Sequence, residues 1–204
     1  EPQNCLAVIY EGEVRTNYIK HHLPNYGVFD EFRNFKPGDS SVVIRVCGVD
    51  IGLAICEDIW QSGGTISDLV RRKPGLVLVP NGSPYERNKD DKRLELVKLR
   101  AREIGAPLAY VNMTGGQDDL VFDGDTIVVG AGGNVIARAP QFMDGLMLVD
   151  LDVLLNSSQP DVIISEPPII GYQKLQHGVA VRLSDEEEVW QALVMGLDRK
   201  STRL

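Results

Sequence analysis

Two short stretches set the limits on this fold. Leu76-Val77-Leu78-Val79 and Pro107 to Asn112 are too brief for helices and too apolar for strands with a wet face. Such runs read as strands buried on both faces. Between them, Arg87 to Ile104 carries apolar positions at Leu94, Leu96, Val97, Leu99 and Ala101, and Gly105 stands where a helix stop belongs. A strand buried on both faces needs cover on both, so the chain reads as a layered, mixed α/β domain. Its 204 residues can bury a core without disulfides, and 43% apolar with 25% charged residues is ordinary globular usage.

The remaining elements fit that frame. Residues 5–10 and 13–19 read as strands around the turn signal Glu11-Gly12, and residues 21–40 as loop, punctuated by Pro24, Gly27, Pro37 and Gly38. Strands at 42–46 and 49–55 turn at Cys47-Gly48, and a short helix at 66–72 ends at Pro74-Gly75. Three further strands are expected near 126–129, 135–139 and 146–151. Gly130 to Asn134 is a hairpin connection and not a dinucleotide loop, because no helix follows it. Ser62-Gly63-Gly64-Thr65 resembles a pyrophosphate loop but has Ile66 where that motif has Asp, so it reads as a turn and helix start.

At residue 156 the composition shifts. Ser157 to Pro160 and Pro167-Pro168 suggest a linker over 156–184. Asp185 to Leu197 then reads as an amphipathic helix with Val189, Trp190, Leu193, Val194 and Leu197 on one face. The last seven residues, 198–204, break that pattern and read as a non-native tail. The expected organisation is an incomplete first domain at 1–155, the linker, and the opening helix of a second domain at 185–197.

Charge and cysteine content exclude several functions. A formal net charge of −8 lacks the basic footprint of a nucleic-acid binder, and no apolar run is long enough to span a bilayer. Cys5, Cys47 and Cys56 cannot all pair with one another, and their spacing fits no zinc motif. They read as reduced thiols, two or three of them buried.

Cys56 stands apart because of its context, Gly52-Leu-Ala-Ile-Cys56-Glu-Asp-Ile-Trp60. A β-rich run ends at a cysteine, and acidic residues and a helix follow. A nucleophile at a strand-to-helix turn is presented outward beside backbone N–H groups that can bind an oxyanion. The thiolate is the reactive form, so it needs a cationic neighbour or a base. On this stretch alone, a structural cysteine remains the better reading. The other informative segment runs from Tyr18 to Arg33, a loop dense in polar and aromatic residues that includes Lys20, His21, His22, Tyr26 and Glu31.

Together, Lys20-x-x-Leu-Pro-Asn-Tyr-x-Val-Phe-Asp-Glu31 and Cys56-Glu-Asp-x-Trp60 resemble the nitrilase or carbon–nitrogen hydrolase superfamily. Asn81-Gly-Ser83-Pro84 and Asn112 to Gly124, with its Gly-Gly-Gln-Asp-Asp-Leu-Val-Phe-Asp-Gly run, narrow the resemblance to the glutaminase domains of glutamine-dependent NAD+ synthetases. The resemblance implies a nitrilase-type α-β-β-α sandwich, here truncated at its N-terminus, with an edge or part of a face left uncovered. It implies Cys56 as the nucleophile toward the amide of L-glutamine, Lys20 as the triad lysine and Glu31 as a supporting carboxylate. It places the triad glutamate upstream of this chain, since Glu1, Glu11 and Glu13 are wrongly positioned. Tyr26, Glu57, Ser83 and Lys89 are implied around glutamine, with Arg87 a rival to Lys89. A free amino acid needs an acid for its ammonium and a cation for its carboxylate, and Glu57 and Lys89 can supply them.

The resemblance implies no cofactor or metal in this domain. ATP, Mg2+ and deamido-NAD+ belong to a synthetase domain beyond it, in a cytoplasmic enzyme that forms a homo-oligomer when complete. With the base missing, the chain as given is expected to be inactive. The alternatives are a stand-alone amidase acting on another small amide, and a catalytically inert fragment of the fold.

Overall fold

The computed structural model describes residues 1–166 and 171–201, with side chains to Asp198. Pro167-Pro168 and the end of the expected tail, residues 202–204, lie outside the described residues. The architecture is mixed α/β. Strands β1 (Cys5–Tyr10) and β2 (Glu13–Ile19) form an antiparallel hairpin, and a single helical turn, α1 (Glu31–Asn34), interrupts the loop that follows. Then come β3 (Val42–Val46), β4 (Val49–Leu53), a 3-10 turn at Cys56–Ile59, α2 (Gly64–Arg72), β5 (Leu76–Asn81), α3 (Lys89–Ile104) and β6 (Leu108–Asn112). The remaining elements are β7 (Thr114–Gln117), β8 (Leu120–Asp123), β9 (Ile127–Val129), β10 (Val135–Arg138), β11 (Val162–Ser165) and α4 (Asp185–Ser201).

Seven strands form one mixed sheet in the order β10-β9-β6-β5-β4-β3-β11. The pairs β4–β5, β5–β6 and β3–β11 are parallel. Strands β5 and β6, the two apolar runs, lie side by side near its middle, where cover on both faces is needed. On one face α2 and α3 seat Ile66, Leu69, Val97, Ala101 and Ile104 against Val77, Val79, Leu108 and Tyr110. Gly52 on β4 permits that approach, since a Cβ there would lie 2.7 Å from Leu69 Cδ2 and 3.2 Å from Pro74 Cγ.

The opposite face is covered unevenly. The β1–β2 hairpin sets Leu6, Val8, Tyr10 and Tyr18 against Ile44, Ile51, Leu53 and Ile164. Beside it, over β5, β6 and β9, the face opens into a cavity of about 830 Å³ lined by Leu78, Ala109, Val128, Met147 and Val149 among others.

The elements differ from the sequence reading in several places, among them the β7–β8 hairpin, which that reading lacks. Residues 146–151 form no strand. Met147, Val149 and Leu151 pack on the sheet face with Ala109, Val128 and Ala137, while Leu146 and Leu148 point outward, so the alternation is strand-like without a ladder. The stretch expected as linker contains β11, which pairs parallel to β3 because Val162-Ile-Ile164 carries enough apolar area to extend the sheet. Helix α4 runs to Ser201, beyond the expected end at Leu197, and packs against β7 and β8. The thiols also differ: Cys47 and Cys56 are half-buried, and Cys5 lies on an outward-facing position of β1.

One buried ion pair ties α3 to the loop after β5. Arg93 is fully buried and donates to both oxygens of Asp123, at 2.8 and 2.7 Å. Its other terminal nitrogen donates to the carbonyls of Ser83, at 3.1 Å, and Pro84, at 2.9 Å. Asn112 closes the loop from β6, accepting from the Ser83 N–H at 2.9 Å and donating to the Ser83 carbonyl at 3.1 Å. Removing one partner of a buried pair leaves an uncompensated charge, which costs about 3–5 kcal/mol. Asp123→Asn is therefore expected to destabilise the chain by about that amount in urea unfolding at pH 7. A change below about 1 kcal/mol would show that the pair does not hold this loop.

Candidate functional site

The site is built where the C-terminal ends of β2, β4 and β5 meet. Strand β4 ends at Leu53, and the chain turns through Cys56 with φ at +42°, a left-handed conformation uncommon for a side chain with a Cβ. Such a conformation costs on the order of 1–3 kcal/mol and persists only where the surroundings over-determine it. Here Cys56 itself opens a 3-10 turn, Cys56–Ile59, and the Gly82 N–H reaches its thiol.

Lys20 follows β2 and is only 2% exposed. Its backbone is clamped on both sides: its N–H donates to the Asn4 carbonyl and its carbonyl accepts from the Gly38 N–H, both at 2.9 Å. Gly38 is required there, since a Cβ would lie 2.4 Å from the Ile19 carbonyl oxygen. The Lys20 ammonium donates to both oxygens of Glu31 at 2.8 Å. Asn4 adds a third bond to that carboxylate, from Nδ2 to Oε2 at 3.1 Å. Glu31 is itself placed by its N–H, which donates to the Pro24 carbonyl at 3.0 Å.

Tyr26 sits on the same loop and donates to Glu57 Oε2 at 2.6 Å. Gln61 Nε2 donates to the other oxygen of Glu57 at 2.8 Å. Glu57 is buried, so both of its oxygens have a protein donor. Asp58, the next residue, is fully buried and accepts four hydrogen bonds, from the Tyr18 hydroxyl and from the backbone N–H groups of His21, His22 and Ile55.

Cys56 feels most of this surrounding. Burial pushes its thiol pKa up, the Lys20 ammonium pulls it down, Glu57 and Glu31 push it up, and a backbone hydrogen bond from Gly82 pulls it down. The net direction is upward, so burial and carboxylates outweigh the lysine, and the thiol form dominates at neutral pH. Burial, with the bond to Glu57 next, holds the Tyr26 hydroxyl well above the ordinary phenol range. Tyr110, beneath the site on β6, is raised mainly by burial.

The structure thus gathers Cys56, Lys20, Glu31, Tyr26 and Glu57, with Gly82 and the buried Ser83 beside them. Lys89 stands at the first position of α3, with its ammonium on Glu86, whose charge also acts on Tyr26. Its rival Arg87 is exposed and turned toward Asp185, 3.3 Å away. Sequence reasoning did not single out Asn112, Gln61, Arg93 or Tyr18. Asn112 lies in a quoted motif, yet nothing in spacing alone tells that it holds Ser83. Among the described residues, no group of three His, Cys, Asp or Glu side chains is placed to hold a metal ion, and no helix is long and apolar enough to cross a membrane.

The chain is 42% identical over 196 residues to a glutamine-dependent NAD(+) synthetase of Xylella fastidiosa, covering 95% of this chain and 33% of that protein. It is 43% identical over 150 residues to the enzyme of the same name from Aquifex aeolicus, covering 74% of this chain and 26% of that protein. Among solved structures, glutamine-dependent NAD+ synthetase from Acinetobacter baumannii, in complex with ADP, superposes with a TM-score of 0.78 at 33% identity, over 98% of this chain and 35% of that one. An amidase of the nitrilase superfamily from Nesterenkonia sp. AN1 superposes with a TM-score of 0.55 at 32% identity, over 63% of this chain and 47% of its own; its active-site cysteine has been captured in covalent addition of the acetamide moiety of fluoroacetamide. The chain therefore spans about a third of the length of the synthetases it resembles. The carbon–nitrogen hydrolase family model matches residues 4–158, which contain the whole cluster around Cys56, and the chain belongs to that family.

Proposed function

We propose that this chain is the glutamine-hydrolysing part of a glutamine-dependent NAD+ synthetase, and that Cys56 is its nucleophile. The observation that carries the reading is the placement of Cys56: a thiol on a left-handed turn, acted on by a buried lysine and met by the backbone N–H of Gly82. The likeness to the synthetases extends over nearly the whole chain, whereas the likeness to the amidase covers 63% of it, which favours the synthetase reading over a stand-alone amidase. On this reading the glutaminase unit extends past residue 155 through β11, the residues up to 184 lead out of it, and α4 opens the next domain.

In the proposed reaction, Cys56 Sγ attacks the side-chain amide carbon of glutamine and the carbonyl π electrons move to oxygen. Lys20 and the Glu57 N–H stabilise that oxyanion, as donors aimed at developing charge do. The C–N bond then breaks and ammonia departs with the proton surrendered by the thiol, leaving a γ-glutamyl thioester. Water cleaves the thioester, releasing glutamate and restoring the thiol. Glu57 receives the α-ammonium of the substrate, with Tyr26 orienting it, while Lys89 meets the α-carboxylate and Ser83 lines the pocket. ATP, with Mg2+, and deamido-NAD+ are used by the remainder of the enzyme, which consumes the ammonia. The enzyme works in the cytoplasm as a homo-oligomer.

Cys56→Ala in the longer synthetase that contains this segment is expected to abolish glutamine-dependent NAD+ formation and to leave ammonia-dependent formation intact. Equal loss of both activities would overturn the assignment. In the same enzyme, Glu57→Gln removes the charge meant for the substrate ammonium, a charge-assisted contact of about 1.5–3 kcal/mol. The KM for glutamine is expected to rise by about tenfold or more, and an unchanged KM would remove Glu57 from the substrate site.

The 204-residue chain alone is expected to react once but not to turn over. The two carboxylates that act on Cys56, Glu31 and Glu57, are both already engaged, by Lys20 and Asn4 and by Tyr26 and Gln61. Neither is free to activate the water that must cleave the thioester, and general-base help is worth about 10²–10⁴-fold. A glutamine-like electrophile should label Cys56 to at most one equivalent, with negligible steady-state ammonia release. Sustained glutaminase turnover by residues 1–204 would show that Glu31 or another local carboxylate serves as the base.

A further inference from the structure

Asp58 touches neither the Cys56 thiol nor the Lys20 ammonium, yet its carboxylate joins the two segments that carry them. Oδ1 accepts from the backbone N–H groups of His21, at 3.1 Å, and His22, at 2.9 Å. Oδ2 accepts from the Tyr18 hydroxyl, at 2.7 Å, and from the Ile55 N–H, at 2.9 Å. Tyr18, His21 and His22 flank Lys20 in sequence, and Ile55 immediately precedes Cys56. The Tyr18 hydroxyl is shared with Thr65 Oγ1, at 2.7 Å, which extends the tie to α2. The carboxylate and the Tyr18 side chain at the centre of this network are both fully buried.

We propose that Asp58 is a positioning residue for the cysteine–lysine pair, holding the Lys20 segment against the Cys56 turn so that the ammonium lies where it supports the thiolate. This rests on the reading of Cys56 as nucleophile and Lys20 as its cation. The chemistry requires a carboxylate. Ionised, it is acceptor-only and can meet four donors arriving from two sides. Asparagine has the same shape but carries two N–H donors of its own. Whichever way the amide is turned, those donors face either the His21 and His22 N–H groups or the Ile55 N–H. One of the two segments is then released, and the distance from Lys20 to Cys56 is no longer fixed from both ends.

The sign of the effect separates positioning from simple charge. Losing the negative charge of Asp58 would, through space alone, make the neighbouring thiolate easier to form. Losing the grip on Lys20 makes it harder. The other groups that act on Cys56 stay in place: Glu57, Glu31 and the Gly82 N–H, with Tyr26 and Tyr110 also within electrostatic reach.

The test is the pH dependence of iodoacetamide labelling of Cys56 in the 204-residue chain, read by peptide mass spectrometry. The exposed Cys5 serves as internal reference, and circular dichroism reports folding. Lys20→Gln is expected to slow Cys56 labelling at a given pH below its titration by about tenfold or more, since close opposite charges move a pKa by about 1–3. Asp58→Asn is expected to slow it in the same direction, by about threefold or more, with the Cys5 profile and the dichroism unchanged. An unaltered or faster Cys56 profile in a folded Asp58→Asn chain overturns the positioning role, while a slowed Lys20→Gln profile keeps the Cys56–Lys20 reading. An unaltered Lys20→Gln profile overturns that reading and the proposal with it. Should Asp58→Asn fail to fold, Tyr18→Phe decides. It removes one of the four donors and leaves the ring, so slower labelling supports the proposal and an unchanged profile overturns it.

Discussion

Burying an ammonium group sets the terms for everything around Cys56. Removing a lysine charge from water costs several kcal/mol even after relaxation, so Lys20 at 2% exposure demands a partner. Glu31 supplies it with both oxygens, and Asn4 and the Pro24 carbonyl then hold Glu31. The loop at 24–31 is ordered by that requirement, and the same loop carries Tyr26 to Glu57. A stretch without regular structure beyond one helical turn is thus pinned by charge and not by an apolar face. The pairing also tempers the lysine: Glu31 pushes the Cys56 thiol up while Lys20 pulls it down, and the thiol stays above its ordinary range.

The second constraint is the stiffness of what lies behind the site. The positive φ of Cys56 is a conformation that a mobile chain would not keep, and the loop at 82–85 has no regular structure of its own to hold it. Asp58 restrains the first from one side. Arg93, Asp123 and Asn112 restrain the second from below, where burial makes each unmet donor or acceptor costly. These struts are long-range in sequence. Arg93 reaches 30 residues to Asp123, and Asp58 reaches 40 to Tyr18. They convert the sheet, which is rigid, into a support for loops, which otherwise are not.

That separation explains what could be read from the sequence and what could not. The strands of 5–10, 13–19 and 42–46, and the helix ending at Gly105, follow local rules: period-two alternation, turn residues and a left-handed stop. Cys56, Lys20, Glu31, Tyr26 and Glu57 could be picked out as candidates because they sit in ordered motifs, and the structure brings them together. Residues 146–151 show where local rules stop. Their alternation is real, but whether an alternating segment joins a ladder or lies across a sheet face is decided by which edges are free, a property of the whole fold. Strand β11 shows the reverse, a short apolar run among prolines that becomes a strand because the β3 edge accepts it. The roles of Arg93, Asn112 and Tyr18 were invisible for the same reason, since each depends on a partner set by the fold.

The same reasoning applies to α4, which is amphipathic in sequence but is seated here largely by polar contacts. Arg182, just before it, approaches Asp90 Oδ2 at 2.5 Å, and Glu188 in its first turn accepts from Gln141 Nε2 at 2.9 Å. Asp90 follows Lys89 directly, and the adjoining Asp125 is locked to Arg138, which also nears Asp90 at 3.6 Å. A buried carboxylate facing two guanidinium groups has little freedom to move, and neither has the first turn of α3 that carries it. The position of Lys89 is therefore coupled to residues 182–188, although neither Lys89 nor the Cys56 cluster bonds to them. Meanwhile Trp190, Leu193 and Leu197 remain outside that polar seat and exposed. Charge seats the start of α4, and farther along the half-buried Ala192 and Gly196 bring it against β7 and β8, where a Cβ at Gly196 would lie 3.4 Å from Val121 Cγ2.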